Sequence, residues 1–163
     1  MELTHLNREG NPRIVNITEK GVTKRRAVAV GEIWMSPATK EAILEGKTKK
    51  GGVLQTAIVA GVLGAKETSR LIPMCHPIPI EGIEVEIEPI EKGFRVQVEA
   101  ETTYKTGIEM EALTGVSIAL LTIYDMVKGL EKGMVLTNIH LELKEGGRSG
   151  LFQFDRGKFQ PEN

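Results

Sequence analysis

A single cysteine, Cys75, stands among the 163 residues, so no disulfide can close within the chain and a reducing compartment is the natural setting. Aromatic residues make up only 4%, which argues against a surface that reads single-stranded nucleic acid by stacking bases. Neither sign of charge prevails. The 21 Lys and Arg against 22 Asp and Glu leave a net charge of −1, which excludes a globally basic polyanion binder but not local basic patches. His5, His76 and His140 are scattered and form no Cys/His metal spacing with Cys75. No stretch reads as approaching the roughly 18 apolar residues of a membrane span, and the start Met-Glu-Leu-Thr-His has no apolar leader core. One core serves about 100 to 200 residues, so residues 1–163 read as one soluble, cytoplasmic domain that binds neither membrane nor nucleic acid.

What is present is an alternation of strand and helix patterns. Residues 1–23 are polar and broken by Gly10, Pro12 and Gly21, an arm whose order depends on what it docks against. Arg26 to Met35 is rich in β-formers without a helical stripe, as in a strand buried on both faces. Ser36-Pro37 opens a short helix that Gly46 ends. A second helix, about 53–69, carries Ala57, Gly61 and Ala65 at spacing four, and Ala60 and Gly64 likewise, so another backbone can approach it closely. Three prolines between Ile72 and Pro79 impose a fixed, extended loop. Ile80–Glu88 and Phe94–Glu99 alternate as a hairpin with one wet face. A third helix spans about Gly107 to Gly129, Val135–Leu143 is a last strand, and a loose polar tail runs on from about 155. This order predicts an α+β, ferredoxin-like (split βαβ) antiparallel sheet with helices packed on one face.

On the third helix, Ile108, Ala112, Leu113, Val116, Ala119, Leu120, Ile123 and Val127 share a sector of about 140° that belongs against the sheet. Glu111, Thr114, Ser117, Thr122, Asp125 and Lys128 fall opposite, a stripe that composition alone reads as solvated. Asp125 and Lys128, three apart, can meet as an ordinary ion pair or as a tuned acid/base couple. Glu111 lies 14 residues before Asp125, about 21 Å along the axis, too far for both to act on one atom in one chain. Thr106-Gly107-Ile108-Glu109 matches a capping box, which assigns Glu109 a structural role.

Gly46-Lys47-Thr48 lacks the earlier glycine of a phosphate loop, Glu41 standing in its place. Three basic clusters remain: Lys24-Arg25-Arg26, then Lys47, Lys49 and Lys50 beside Gly51-Gly52, then Lys144 and Arg148 around Gly146-Gly147. Two of them combine cations with glycine backbone, the ingredients of a polyphosphate site. Cys75 and His76, adjacent in an extended segment, should point to opposite sides, which disfavours a Cys-His dyad and leaves a quiet buried thiol. His76 suits a hydrogen-bonding core histidine as well as a proton-transfer group.

Leu71-Ile72-Pro73-Met74-Cys75-His76-Pro77, Lys105-Thr106-Gly107-Ile108-Glu109-Met110-Glu111-Ala112-Leu113-Thr114 and Leu121-Thr122-Ile123-Tyr124-Asp125-Met126-Val127-Lys128 closely resemble the MoaC family. These are the cyclic pyranopterin monophosphate synthases of molybdenum cofactor biosynthesis, and the resemblance runs from Leu3 to about Gly150. It implies a phosphorus-oxygen lyase that takes the cyclised dihydro-GTP made by a radical SAM partner and releases diphosphate as the pterin forms. It also implies a ferredoxin-like homohexamer, a trimer of dimers, with sites at subunit interfaces. By matching position the catalytic set falls on Asp125, Lys50, Lys128 and His76. The substrate contacts fall on Met74, Cys75, His76, Met110 and Glu111, with Arg25 and Lys144 as associated basic residues. The resemblance brings no protein-bound metal or cofactor and leaves open whether Mg²⁺ accompanies the triphosphate. A lysine base there requires a lowered pKa, which crowding of Lys50 by Lys47 and Lys49 could supply. The chain departs from the family pattern with Gly52 for Asp, Met74 for Leu, Glu145 and Arg148 in the Lys-Ser-Gly-Gly-Lys segment, and Tyr104 for a small residue. The competing class is a non-catalytic ferredoxin-like nucleotide-binding module.

Overall fold

The computed structural model describes residues 6–159, so His5 lies outside the described residues. The order is β1 (Thr23–Trp34), α1 (Pro37–Leu44), α2 (Val53–Lys66), α3 (Thr68–Leu71), β2 (Gly82–Ile90), β3 (Gly93–Tyr104), α4 (Glu109–Val127), β4 (Val135–Glu145) and β5 (Phe152–Gln153), with a 3-10 turn after it at Arg156–Phe159. The five strands line up as β2-β3-β1-β4-β5, antiparallel throughout. The first four strands are in the split-βαβ order, and α2 and α4 both pack on one face of the sheet. The fold expected from the sequence is the one observed.

β1 is central because it is apolar on both sides. Ala27, Ala29 and Ile33 are fully buried, and so nearly are Val28 and Val30, which the pleat directs to the opposite face. Gly31 lets α4 lie directly on the strand, since a Cβ there would stand 2.8 Å from both Leu120 and Val116. The small residues of α2 serve the second contact. A Cβ on Gly61 would come within 3.2 Å of the Gly115 carbonyl, and one on Gly64 within 2.6 Å of Ile118. The helices therefore cross nearly backbone to backbone.

Three expectations need correction. By length and apolarity α4 does meet the criterion for a membrane span. Yet it packs on the sheet and against α2 and is half buried, and a core helix takes such a composition. The polar stripe of α4 is not uniformly solvated, because Glu111 and Thr114 are only 5% and 9% exposed. Finally, the capping box does not form: α4 begins at Glu109 with Ile108 at the cap position and no side-chain cap. Ile108 is 1% exposed, and burying it is worth about 1.5–3 kcal/mol, against roughly 0.5–2 kcal/mol for a cap. Ser36 does cap α1, its Oγ accepting from Thr39 N–H at 3.3 Å.

Candidate functional site

The chain before α2 meets the far end of α4, and the chain after α3 meets its beginning. The two ends of α4 thus carry separate clusters. At the C-terminal end Asp125 stands between two ammonium groups. Lys128 Nζ lies 2.7 Å from Oδ1, and Lys50 Nζ lies 3.0 Å from Oδ2 while also donating to the Asp125 carbonyl at 3.0 Å. The couple drawn from spacing is therefore a triad whose third member arrives from the basic loop. Held by Lys128 first and Lys50 second, the Asp125 carboxyl is depressed to about 2. Lys128 is raised in return by its bond to Asp125, opposite to what a neutral lysine base requires. All three side chains remain about half exposed. Lys47 turns away to pair with Glu45 at 2.7 Å, so the crowding expected around Lys50 is relieved on that side.

At the other end of α4 a cleft of about 440 Å³ is walled by Met74, Cys75, His76, Met110 and Glu111, with Val15 and Ile17 of the N-terminal arm opposite. Cys75 N–H donates to the Ile72 carbonyl at 3.1 Å. This turn, in place of the extended run expected, is why adjacent Cys75 and His76 both face the cleft. His76 Nε2 donates to the Val15 carbonyl at 2.7 Å, which places the ring proton on Nε2, since a carbonyl only accepts. Glu111 is pushed up to about 7, chiefly by burial and further by Glu109. The Cys75 thiol is raised by burial and by the charge of Glu111, which keeps it a thiol.

A second cleft of about 410 Å³ continues the first, sharing Lys20, Thr106, Gly107 and Arg148 and adding Arg25, Lys105 and Gly147. Arg25 is aimed by bonds from Nε to the Tyr104 carbonyl (3.2 Å) and from Nη2 to the Lys105 carbonyl (3.5 Å). Lys105 Nζ donates to the Thr18 carbonyl at 2.7 Å, tying the arm down. Lys144 is only 7% exposed and donates to Ser149 Oγ. It lines neither cleft and braces the loop that carries Arg148. Neither Lys20 nor Lys105 belongs to a basic run, so no local pattern marks either as an anion ligand. Among the described residues no three His, Cys, Asp or Glu side chains gather as a metal site.

The structure thus brings the ten sequence-derived residues into two groups. Asp125, Lys50 and Lys128 form one. Met74, Cys75, His76, Met110 and Glu111 form the other, with Arg25 adjoining and Lys144 behind. The two lie about 21 Å apart along α4. Both groups fall within the span shared with known proteins, since the model of the MoaC family matches residues 14–147. A Campylobacter lari protein named cyclic pyranopterin monophosphate synthase is 50% identical over 154 residues, covering 93% of this chain and 98% of its own. Proteins of the same name from Helicobacter pylori (51% over 152 residues, 92% and 96%) and a Sulfurovum species (49% over 154 residues, 93% and 98%) are similar to nearly the same extent. With the fold, the motifs in order and a match across most of its length, the chain belongs to the MoaC family.

Proposed function

We infer that this protein is a cyclic pyranopterin monophosphate synthase, converting (8S)-3',8-cyclo-7,8-dihydroguanosine 5'-triphosphate to cyclic pyranopterin monophosphate and diphosphate. The observation that carries the reading is the grip of Lys50 and Lys128 on Asp125, at 3.0 and 2.7 Å, in a chain about half identical to synthases over nearly its whole length.

Forming a cyclic monophosphate from a triphosphate requires a substrate hydroxyl to attack the α-phosphorus as the bond to the β-phosphate breaks, its proton passing to a base, a role open to the unprotonated Nδ1 of His76. Charge then accumulates on the departing diphosphate. Lys20, Arg25, Lys105 and Arg148 supply preorganised cations for it. Lys128, kept protonated by Asp125, serves as a proton donor and fixed cation, while the Asp125 carboxylate orients both lysines. His76 offers Nδ1 to the cleft, its Nε2–H being engaged by Val15. Glu111, near neutrality in its titration, can hold or release a proton at the pterin-forming end.

The separation of the two groups supports a site shared between copies, the Asp125 end of one chain closing the Glu111 cleft of another. Val59, Leu63 and Leu121, each more than half exposed on α2 and α4, offer apolar surface for that contact. A homohexamer built as a trimer of dimers, in the cytoplasm and fed by a radical SAM cyclase, completes the reading. The test is turnover. Purified protein given the cyclised dihydro-GTP should release diphosphate and yield a pterin that becomes fluorescent on oxidation. Folded, oligomeric protein that produces neither would overturn the proposal.

A further inference from the structure

Arg148 lines every part of the cleft system around Lys20, yet the loop that carries it has little shape of its own. Gly146, Gly147 and Gly150 all adopt positive φ (89°, 73° and 63°), and glycine gives up the most backbone freedom on ordering. Where Arg148 stands is therefore decided by the bond from Lys144 to Ser149 Oγ inside the loop and by the tethers at its two ends. Before it, Gly146 packs against the Lys24 carbonyl and Gly147 against the Arg25 guanidinium. After it, the chain returns beside β4 with Leu143 opposite Gln153 and Lys144 opposite Phe152. A two-residue strand is a weak hold. Phe154 reinforces it: its N–H donates to the Glu142 carbonyl at 2.9 Å, and its ring lies on the His140 imidazole with centroids 4.0 Å apart. The imidazole is itself pinned, Nδ1 2.7 Å from the Asn138 carbonyl and Nε2 2.8 Å from the Glu142 carboxylate. Residues 152–156 lie outside the span matched by the family model, which ends at 147.

We propose that Phe152–Arg156 is a latch that fixes Arg148 in the anion-binding cleft, with Phe154 its positioning residue. The proposal rests on reading that cleft as the polyphosphate site. It predicts a defect in anion binding from a residue that touches neither cleft.

The test uses full-length Phe154→Ala, Phe154→Tyr, Arg148→Ala and the Phe154→Ala/Arg148→Ala double variant. Three readouts are taken: steady-state kinetics, calorimetric binding of inorganic diphosphate, and amide exchange across residues 146–150. An aromatic contact of this kind corresponds to about three- to tenfold in an equilibrium constant. Phe154→Ala should raise the diphosphate Kd and lower kcat/KM by that factor, and speed exchange in the loop. Phe154→Tyr, which keeps the ring, should match the parent. In the Arg148→Ala background, Phe154→Ala should add nothing, as expected of two residues acting through one interaction. Parental exchange and Kd in Phe154→Ala, or full additivity with Arg148→Ala, would overturn the latch. Phe154→Leu provides the same readouts if the alanine variant does not fold. Absence of turnover in the parent would remove the proposed reaction alone, because loop exchange and diphosphate binding still decide the latch.

Discussion

Lys50 reaches across 75 residues of sequence to hold Asp125 twice, its Nζ 3.0 Å from the side-chain Oδ2 and 3.0 Å from the main-chain carbonyl. A lysine that bonds both the carboxylate and the helix end of one residue fixes position as well as charge. With Lys128 on the other oxygen, the carboxylate is saturated with cations before any substrate arrives.

Removing either lysine should therefore release the aspartate. In Lys50→Ala and in Lys128→Ala the Asp125 titration, followed by carboxyl NMR, should climb from about 2 toward the ordinary carboxylate value. Turnover should fall by about 10²- to 10⁴-fold in each, and the double variant should lose far less than the product of the two. The sign of the linkage is that of a depressed acid. Any stability from Asp125 is present above its ordinary value of 3.8 and is lost as pH drops toward 2. An Asp125 titration unchanged in both single variants would contradict the clamp.

Glu111 has the opposite sign. Its ordinary value of 4.5 rises to about 7 because the side chain is buried. Below pH 4.5 both folded and unfolded chains carry the proton. Between 4.5 and 7 the unfolded chain ionises first, so stability declines as pH rises, and above about 7 the loss is complete. The size is roughly 3 kcal/mol, at about 1.4 kcal/mol per pH unit. Glu111→Gln, neutral throughout, should be as stable as the parent at pH 4.5 and clearly more stable at pH 8. Denaturant midpoints at the two pH values decide it, and parallel profiles would show that Glu111 ionises freely.

The α2–α4 crossing makes a prediction in which two effects compete. Gly64→Ala gains about 1 kcal/mol in helix propensity. The new Cβ would stand 2.6 Å from Ile118 Cγ1 and 2.7 Å from its Cβ. The latter is fixed to the backbone, so the helices must part, at about 1–3 kcal/mol. The overlap should win, and thermal unfolding should show a lower Tm despite the better helix former. A higher Tm would mean that the crossing relaxes freely.

The fold was legible because its local signals agree. β1 is apolar without helical period, α2 carries small residues at spacing four, and Ser36-Pro37 caps a helix as expected. The structure departs from the local pattern where tertiary burial overrides it. Thr106 fits a cap in sequence, but burial of Ile108 sets the start of α4. Glu111 fits a wet stripe, but the chain after α3 covers it. The Asp125–Lys128 pair is visible as an i,i+3 spacing, whereas Lys50 reads on its own only as one member of a basic cluster and is joined to Asp125 only by the family resemblance, since no local rule joins residues so far apart. Nothing local marks Lys20 or Lys105 as an anion ligand. They are isolated charges that only folding gathers around Arg25 and Arg148.

The distance along α4 allows the proposal of a site shared between chains to be tested by mixing two inactive proteins. Asp125→Asn should disable the cluster at one end of the helix and Glu111→Gln the cleft at the other. If each site draws one group from each of two chains across a two-fold interface, half of the interfaces in an equal mixture are mixed. Each mixed interface holds one site with both substitutions and one with neither, so about one quarter of the parental activity should return. The recovery must track subunit exchange, appearing after mild dissociation and reassembly. It must be missing from a mixture of Asp125→Asn with Lys128→Ala, whose defects lie in the same cluster and so in the same half of every site. No recovery after proven exchange would place both groups' work within one chain. It would then require a substrate or a conformational change that spans about 21 Å.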